Sequence, residues 1–355
     1  MEFKKIRISR LIIHKIIGKK EKEAYSIPAT DLHILGSETN TTLLTRVYDA
    51  IAKSKRFFET SLENIGNDSF FHIAKDLKNS SDTDFINKTT SITEIAVEAQ
   101  HKKNIPGGLL MFLETEIDGF YSIIVIKAEL QEALTLNGNA VELIKELFLS
   151  PAKEFYKIGL FIHSKPSKST ADGYETYIYD DNFTPRKSDL ATYFYKDFLG
   201  FSTSTNDKLT TNNFLNSFIT FVDANIKESE SRTRLKQRIK ADYRESTNGV
   251  IDPTSYLEFF QDNPELTKKF NDKIVKKFPR SFTKDLSLVD AALQKSSLQI
   301  TSDLTISGPY DLVDSVEVYD LNNDNIIQKL HTEIDSGNVA KVVTLKNEAI
   351  RPSFN

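Results

Sequence analysis

Two apolar runs separated by a tight reversal fix the centre of this chain. From Ile105 the sequence reads Ile-Pro-Gly-Gly, then Leu109 to Leu113, then Glu-Thr-Glu-Ile-Asp-Gly, then Phe120 to Lys127. Leu109-Leu-Met-Phe-Leu113 and Ile123-Ile-Val-Ile126 are continuous and do not alternate with polar residues. Strands apolar on both faces belong inside a sheet covered on both sides. Asp118-Gly119 marks the turn, because Gly accepts positive φ and Asp tolerates it. Pro106-Gly107-Gly108 stops whatever precedes the first run. This is a core, and it contains no evident chemistry.

With 355 residues the chain is long enough for two domains. Hydrophobic residues make up 39% and charged residues 27%, ordinary for a globular protein. No run reaches the roughly 18 apolar residues that a membrane span needs. The early stretch Leu11 to Ile17 is broken by His14 and Lys15, so Met1 to Gly18 is not expected to be a signal peptide. There are no cysteines, which excludes disulfides, thiolate metal sites and cysteine nucleophiles. A cytoplasmic setting is the simplest expectation. The net charge of −4 means that any nucleic-acid function must rest on a local basic patch.

The pattern along the chain predicts an opening strand over Phe3 to Ile17 with Lys and Arg on its outer face, and an extended Tyr25 to Leu35. A helix is expected over Thr41 to Leu62, capped by Asn40 or Thr41, with Leu44, Val47, Tyr48, Ile51 and Phe58 on one face. Lys53, Lys55 and Arg56 beside that face read as a solvated surface. Further helices are expected over Phe70 to Leu77 and Asp82 to Asn104. Val141 to Leu149 reads as a short helix or strand. Lys157 to His163 and Tyr174 to Tyr179 read as strands, with a polar loop over Lys165 to Gly173. A domain boundary is placed in Asp180 to Ser188, which has no apolar pattern.

The second half opens with an aromatic helix, Asp189 to Phe201. Helices follow over Thr211 to Ile226, Ser229 to Arg244, Asp252 to Phe260 and Pro264 to Phe278, the third with Asp252 as cap and Pro253 at its first position. Strands are expected at Leu298 to Ser307, Val313 to Tyr319, Ile326 to Ile334 and Val339 to Leu345, with a turn at Asn322 to Asn325. The fold class is α+β. Residues 1–185 form a mixed, largely antiparallel sheet with covering helices. Residues 186–355 form a second domain of helices plus a small terminal sheet.

Catalytic patterns are sparse. His14, His33, His72, His101, His163 and His331 never fall three or four apart, so no zinc-helix motif exists. No phosphate loop and no Gly-x-Ser-x-Gly elbow occurs. Glu114, Glu116, Asp118 and Glu129, with Lys127, lie near the central strands, where magnesium nucleases carry carboxylates and a lysine. The turn already accounts for Asp118. Residues from Asp320 to Asn325 are acidic, but lack the central Gly and final Glu of a calcium loop.

Two basic helices are the best physical feature. In Ser229 to Arg244, Leu235, Ile239 and Tyr243 form a narrow apolar stripe. Arg232, Lys236 and Lys240 run along one side of it, and Arg234 and Arg238 along the other. In Pro264 to Phe278, Lys269, Lys273 and Lys276 share a face turned away from Phe270, Ile274 and Phe278. Such faces can track phosphates. The plainer reading pairs them with Glu228, Glu230, Asp242, Glu245 and Asp272 on an ordinary solvated surface.

Several stretches together carry a family resemblance. They are Leu11-Ile-Ile-His-Lys-Ile, Val47-Tyr-Asp-Ala-Ile-Ala-Lys-Ser-Lys-Arg-Phe-Phe, Gly107-Gly-Leu-Leu-Met-Phe with Tyr121-Ser-Ile-Ile-Val-Ile, and Phe278 to Val318 with Ile306-Ser-Gly-Pro. The most telling is Leu190-Ala-Thr-Tyr-Phe-Tyr-Lys-Asp-Phe-Leu-Gly. In order and pattern the chain resembles the bacterial 37-kDa nucleoid-associated protein family over nearly its whole length. The resemblance implies a cytoplasmic protein of the nucleoid that binds double-stranded DNA with little sequence preference. It implies no reaction and no cofactor, and without a long apolar run no membrane is expected as a partner. It carries no residue-level binding motif, so the DNA-binding candidates are the basic-helix residues Arg232, Arg234, Lys236, Arg238, Lys240, Lys269, Lys273 and Lys276. A restricted patch could be multiplied by homo-oligomerisation. The alternative function is a protein-interaction adaptor acting on DNA-processing or phage-defence partners, served by the 24 Phe and 13 Tyr. A further alternative is a divergent metal-dependent nuclease built on Asp118 or Glu129.

Overall fold

The computed structural model describes residues 3, 5–18, 23–101, 105–137, 140–147, 157–163, 173–186, 190–245, 249–299, 305–309 and 353–354. The chain divides into two compact units, Met1–Asn206 and Asp207–Asn355.

In chain order the first unit comprises β1 (Ile6–Ile17), β2 (Tyr25–Ile27), α1 (Ser37–Tyr48), β3 (Phe57–Leu62), α2 (Phe70–Lys75) and α3 (Asp82–His101). It continues with β4 (Gly108–Ile117), β5 (Phe120–Ala128), β6 (Gln131–Asn137), β7 (Ala140–Leu147), β8 (Lys157–His163), β9 (Tyr174–Asp180) and β10 (Phe201–Ser202). Eight of these strands form one sheet in the order β10-β3-β9-β8-β5-β4-β1-β2. The architecture is α+β as expected. Every described pairing is antiparallel, so the parallel component of a mixed sheet is absent among the described residues.

The two apolar runs are β4 and β5, at the middle of this sheet. They form a two-residue hairpin with Ile117 opposite Phe120. Asp118 and Gly119 take φ of 49° and 87°, the positive values that a tight hairpin turn demands. The Asp118 side chain accepts from Lys5 N at 2.8 Å, which ties the turn to the start of β1. Both faces are buried. On one, Met111, Leu113, Ile124 and Ile126 share a core with Leu43 and Val47 of α1 and Ala50 and Ile51 of the π-helical turn Asp49–Lys53. On the other, Phe161 packs edge-on against Phe70 and Phe71 of α2, each at 5.8 Å. Leu110, Phe112, Ile123 and Val125 are at most 1% exposed. At about 25 cal/mol per Å² of apolar surface, such burial is what sets the sheet's position.

Several expected boundaries are corrected. The helix expected over Thr41 to Leu62 begins at Ser37 after Gly36, without a side-chain cap, and ends before Ser54. Its last third is β3, with Phe57 opposite Tyr179 and Thr60 opposite Thr176. Phe58 fits helical spacing by coincidence. Its ring lies in the sheet, 4.8 Å from Phe183, because Phe-Phe-Glu-Thr-Ser-Leu has strand character and β9 offers an edge. Arg10 does not share the face of Ile6 and Ile8, which pack on the core under α1. A register shift between Ile8 and Arg10 carries it to the face covered by α3, where it binds Glu114 at 2.7 and 2.8 Å and lies 4.3 Å over Phe85. Of Tyr25 to Leu35 only Tyr25–Ile27 is a strand. Of Val141 to Leu149, the described part is strand, since Ala140–Leu147 pairs with β6. The aromatic segment is a short π-helical stretch, Tyr193–Phe198, within the first unit. The residues beyond His101 in the third expected helix, and the loop expected over Lys165 to Gly173 apart from Gly173, lie outside the described residues.

The second unit comprises α4 (Asp207–Asn225), α5 (Ser229–Glu245), β11 (Val250–Ile251), the 3₁₀ segment Pro253–Phe260, α6 (Pro264–Lys273) and the 3₁₀ turn Val275–Lys277. Then come β12 (Phe282–Thr283), α7 (Asp290–Leu293), β13 (Lys295–Gln299), β14 (Thr305–Pro309) and β15 (Ser353–Phe354). Phe214, Phe218, Phe221, Ile239, Tyr243, Tyr256, Phe260 and Phe270 form its core. Phe218 meets Tyr256 and Phe270 at 5.7 Å each. Two corrections apply. Asp252 caps Thr254 N at 3.0 Å as expected, but the segment it starts is 3₁₀ rather than α. The single strand expected over Leu298 to Ser307 is two, β13 and β14, paired with Leu298 opposite Ile306. The strands expected after Val313 and the turn at Asn322 to Asn325 lie outside the described residues.

Candidate nucleic-acid interface

α5 forms because one narrow stripe of it is apolar. Ile239 and Tyr243 are fully buried, Leu235 packs beside them, and the Tyr243 hydroxyl donates to Thr211 O at 3.2 Å. Residues four apart lie one above another on a helix. Anchoring 235, 239 and 243 therefore forces 232, 236, 240 and 244 into a second stripe beside them, and all four are cations.

Arg232 Nε and Lys236 Nζ share one carboxylate, Asp223 of α4, at 3.9 and 2.5 Å. Arg244 Nη1 donates to Leu293 O at 2.9 Å, and Lys284 Nζ to Tyr243 O at 3.1 Å, both uncharged acceptors. Lys240 is half-buried. Burial pulls its ammonium below the usual lysine range, and Arg244 and then Lys236 push it the same way. Across the apolar stripe, Arg234 and Arg238 are exposed, and the Arg238 guanidinium stacks 3.9 Å over Phe259. The structure thus brings all five α5 candidates onto one helix, on two flanks of its anchor.

α6 differs. Asn263 caps it by accepting from Leu266 N at 3.1 Å, and Pro264 stands in its first turn. The helix ends at Lys273. Ile274 turns to φ −112°, so Lys276 lies on the following 3₁₀ turn and not on the single helix expected over Pro264 to Phe278. Phe270, Ile274 and Phe278 are nonetheless buried, and Lys269, Lys273 and Lys276 exposed, as the spacing required. Lys269 binds Glu265 and Lys276 binds Asp272, both at 2.7 Å and four residues apart. Those hydrogen bonds hold the two carboxyls below their usual range.

The other sequence candidates serve the fold. Asp118 precedes β5 and Glu129 follows it, so the nine-residue strand separates them by on the order of 30 Å. They cannot share a metal ion. Lys127 is buried in the sheet, donates to Pro106 O at 3.3 Å, and is pulled to about 8 by desolvation. His14 is buried between Thr89 Oγ1 and Ala29 N, each at 3.0 Å, and burial lowers it to about 4. Among the described residues no group of three His, Asp or Glu could hold a metal. Residues Asp320 to Asn325 lie outside them.

Arg244 and Lys284 were missed in the sequence. Arg244 was legible, since it continues the four-residue spacing of 232, 236 and 240. Lys284 was not, because 41 residues separate it from its acceptor Tyr243.

A family model described as nucleoid-associated protein YejK matches residues 12–334 of the chain. No curated protein matches it. No helix among the described residues is long and apolar enough to cross a membrane.

Proposed function

The chain belongs to the nucleoid-associated protein YejK family, and from that premise we propose that it binds double-stranded DNA with little sequence preference, through the cations of α5 and without a reaction of its own. The observation that carries this reading is the α5 stripe of Arg232, Lys236, Lys240 and Arg244, in which Arg232 and Lys236 share the carboxylate of Asp223 and Lys240 has no acidic partner among the described residues. From residue 232 to 244 the stripe runs about 18 Å at 1.5 Å per residue, enough to lie along several backbone phosphates. Arg234 and Arg238 extend the positive surface on the other flank. A chain with net charge −4 repels a polyanion at long range, but screening over about 10 Å leaves a local patch to act by itself. Phosphate contacts position a protein on a duplex without reading its sequence, so weak sequence preference follows.

A titration of labelled duplex at low and near-physiological salt tests this. Affinity should fall steeply as salt rises, with the same slope for unrelated sequences and with the DNA intact afterwards. No binding at low salt would end the reading. A protein-interaction role is the second reading. It is favoured by Tyr25, Ile27 and Ile34, which are 50%, 48% and 97% exposed along the segment after β1. Partner capture that survives nuclease treatment would support it.

A further inference from the structure

Within the α5 stripe the four cations are not equivalent. Lys236 lies against Asp223 at 2.5 Å. Arg244 is held by the Leu293 carbonyl. Lys240 sits between them, half-buried, with no acidic partner among the described residues. The nearby carboxylate of Asp242 is engaged by the Tyr256 hydroxyl. Lys284, from the segment after β12, adds a further cation at the Tyr243 carbonyl.

Neighbours four apart on a helix stand about 5–6 Å from one another at Cβ, and like charges there repel. Buried ammonium groups are normally paired. Lys240 therefore has three N–H donors, two flanking cations and no counter-charge among the described residues. An anion with several acceptor oxygens, able to bridge groups one helical turn apart, would supply what is missing. A tetrahedral oxyanion fits that description.

We infer that Lys240, with Lys236 and Arg244 on either side, seats one phosphate group. The inference rests on the DNA-binding reading for the source of that phosphate, the nucleic-acid backbone. The seat itself does not depend on that source, because free phosphate presents the same oxygens.

The test uses the full chain and inorganic phosphate as probe. Thermal unfolding is followed in sodium phosphate and in sodium chloride at matched ionic strength. Phosphate should raise the melting temperature by roughly 2–4 °C at ten times its dissociation constant. Lys240→Met should lose the rise, and Lys240→Arg, which keeps the charge, should retain it. On duplex DNA, Lys240→Met should reduce the slope of log affinity against log salt by about one. An equal phosphate response in wild type and Lys240→Met overturns the seat, and so does no response in wild type. Should Lys240→Met not fold, Lys240→Gln serves in its place with the same outcomes. A response that depends on Lys240, without duplex binding, keeps the seat and removes the DNA reading. Duplex binding with an unchanged salt slope in Lys240→Met, together with an equal phosphate response in both proteins, removes the seat and keeps the DNA reading.

Discussion

α5 and α6 lie in one unit and look alike in composition, yet their cations are held differently. On α6 and the turn that follows it, Lys269 and Lys276 each bind a carboxylate four residues earlier in the chain. In α5, Arg232 and Lys236 share the single Asp223 of another helix, and Lys240 faces only like charge among its resolved electrostatic neighbours. A phosphate approaching α6 must compete with exposed carboxylates that already occupy Lys269 and Lys276. One approaching α5 meets Lys240, which has no acidic partner among the described residues. Counting Lys and Arg along a helix therefore does not show which of them already hold a carboxylate.

The strongest way to break that comparison is charge reversal on each helix separately. Lys236, Lys240, Arg234 and Arg238 changed together to Glu should lower duplex affinity at least a hundredfold at near-physiological salt, and reduce the salt slope by about four. Lys269, Lys273 and Lys276 changed to Glu should lower it by only about tenfold or less. A filter-binding series on both variants reads this directly, and equal losses would erase the distinction between the helices.

Acidification gives a second lever. The lysines and arginines of α5 and α6 keep their charge as pH falls, so binding through them should not weaken for lack of charge. The first unit should weaken instead. His14 is neutral in the fold, with its value lowered to about 4 from an ordinary 6.5. Below pH 6.5 the unfolded chain takes up the proton first, so stability is lost progressively down to about pH 4, by about 3 kcal/mol at most. Urea unfolding between pH 7 and 4, repeated on His14→Gln, checks this. The pH-dependent loss should shrink in the variant.

The smallest expected effect is a gain. Asp223→Asn removes the one carboxylate shared by Arg232 and Lys236, and should tighten duplex binding about threefold. Glu265→Gln with Asp272→Asn should do the same for α6 by freeing Lys269 and Lys276. If neither change alters affinity, exposed ion pairs do not decide which cations are available.

Much of this was legible because it is local. The β4–β5 hairpin was readable from two continuous apolar runs and Asp118-Gly119, since turn chemistry and burial act within a few residues. The apolar anchor of α5 was readable at four-residue spacing, as was the exposed face that carries Lys269 and Lys273. The α6 ion pairs were half-readable, with Asp272 named among the acidic neighbours and Glu265 not. Other features were decided at a distance. Phe57–Leu62 satisfies a helical spacing and a strand propensity equally well, and only the open edge of β9 chose the strand. The placing of Arg10 on the face covered by α3 depended on a register shift against β4.

The amino-acid sequence by itself determined the family, the antiparallel core around β4 and β5, and the existence of two basic helices, because periodicity and turn residues act through neighbours in the chain. Only the tertiary structure decided which of those basic residues are compensated. Charge balance depends on through-space partners such as Asp223, Leu293 and Lys284, and these reach α5 from elements whose order in the sequence says nothing about their distance from it.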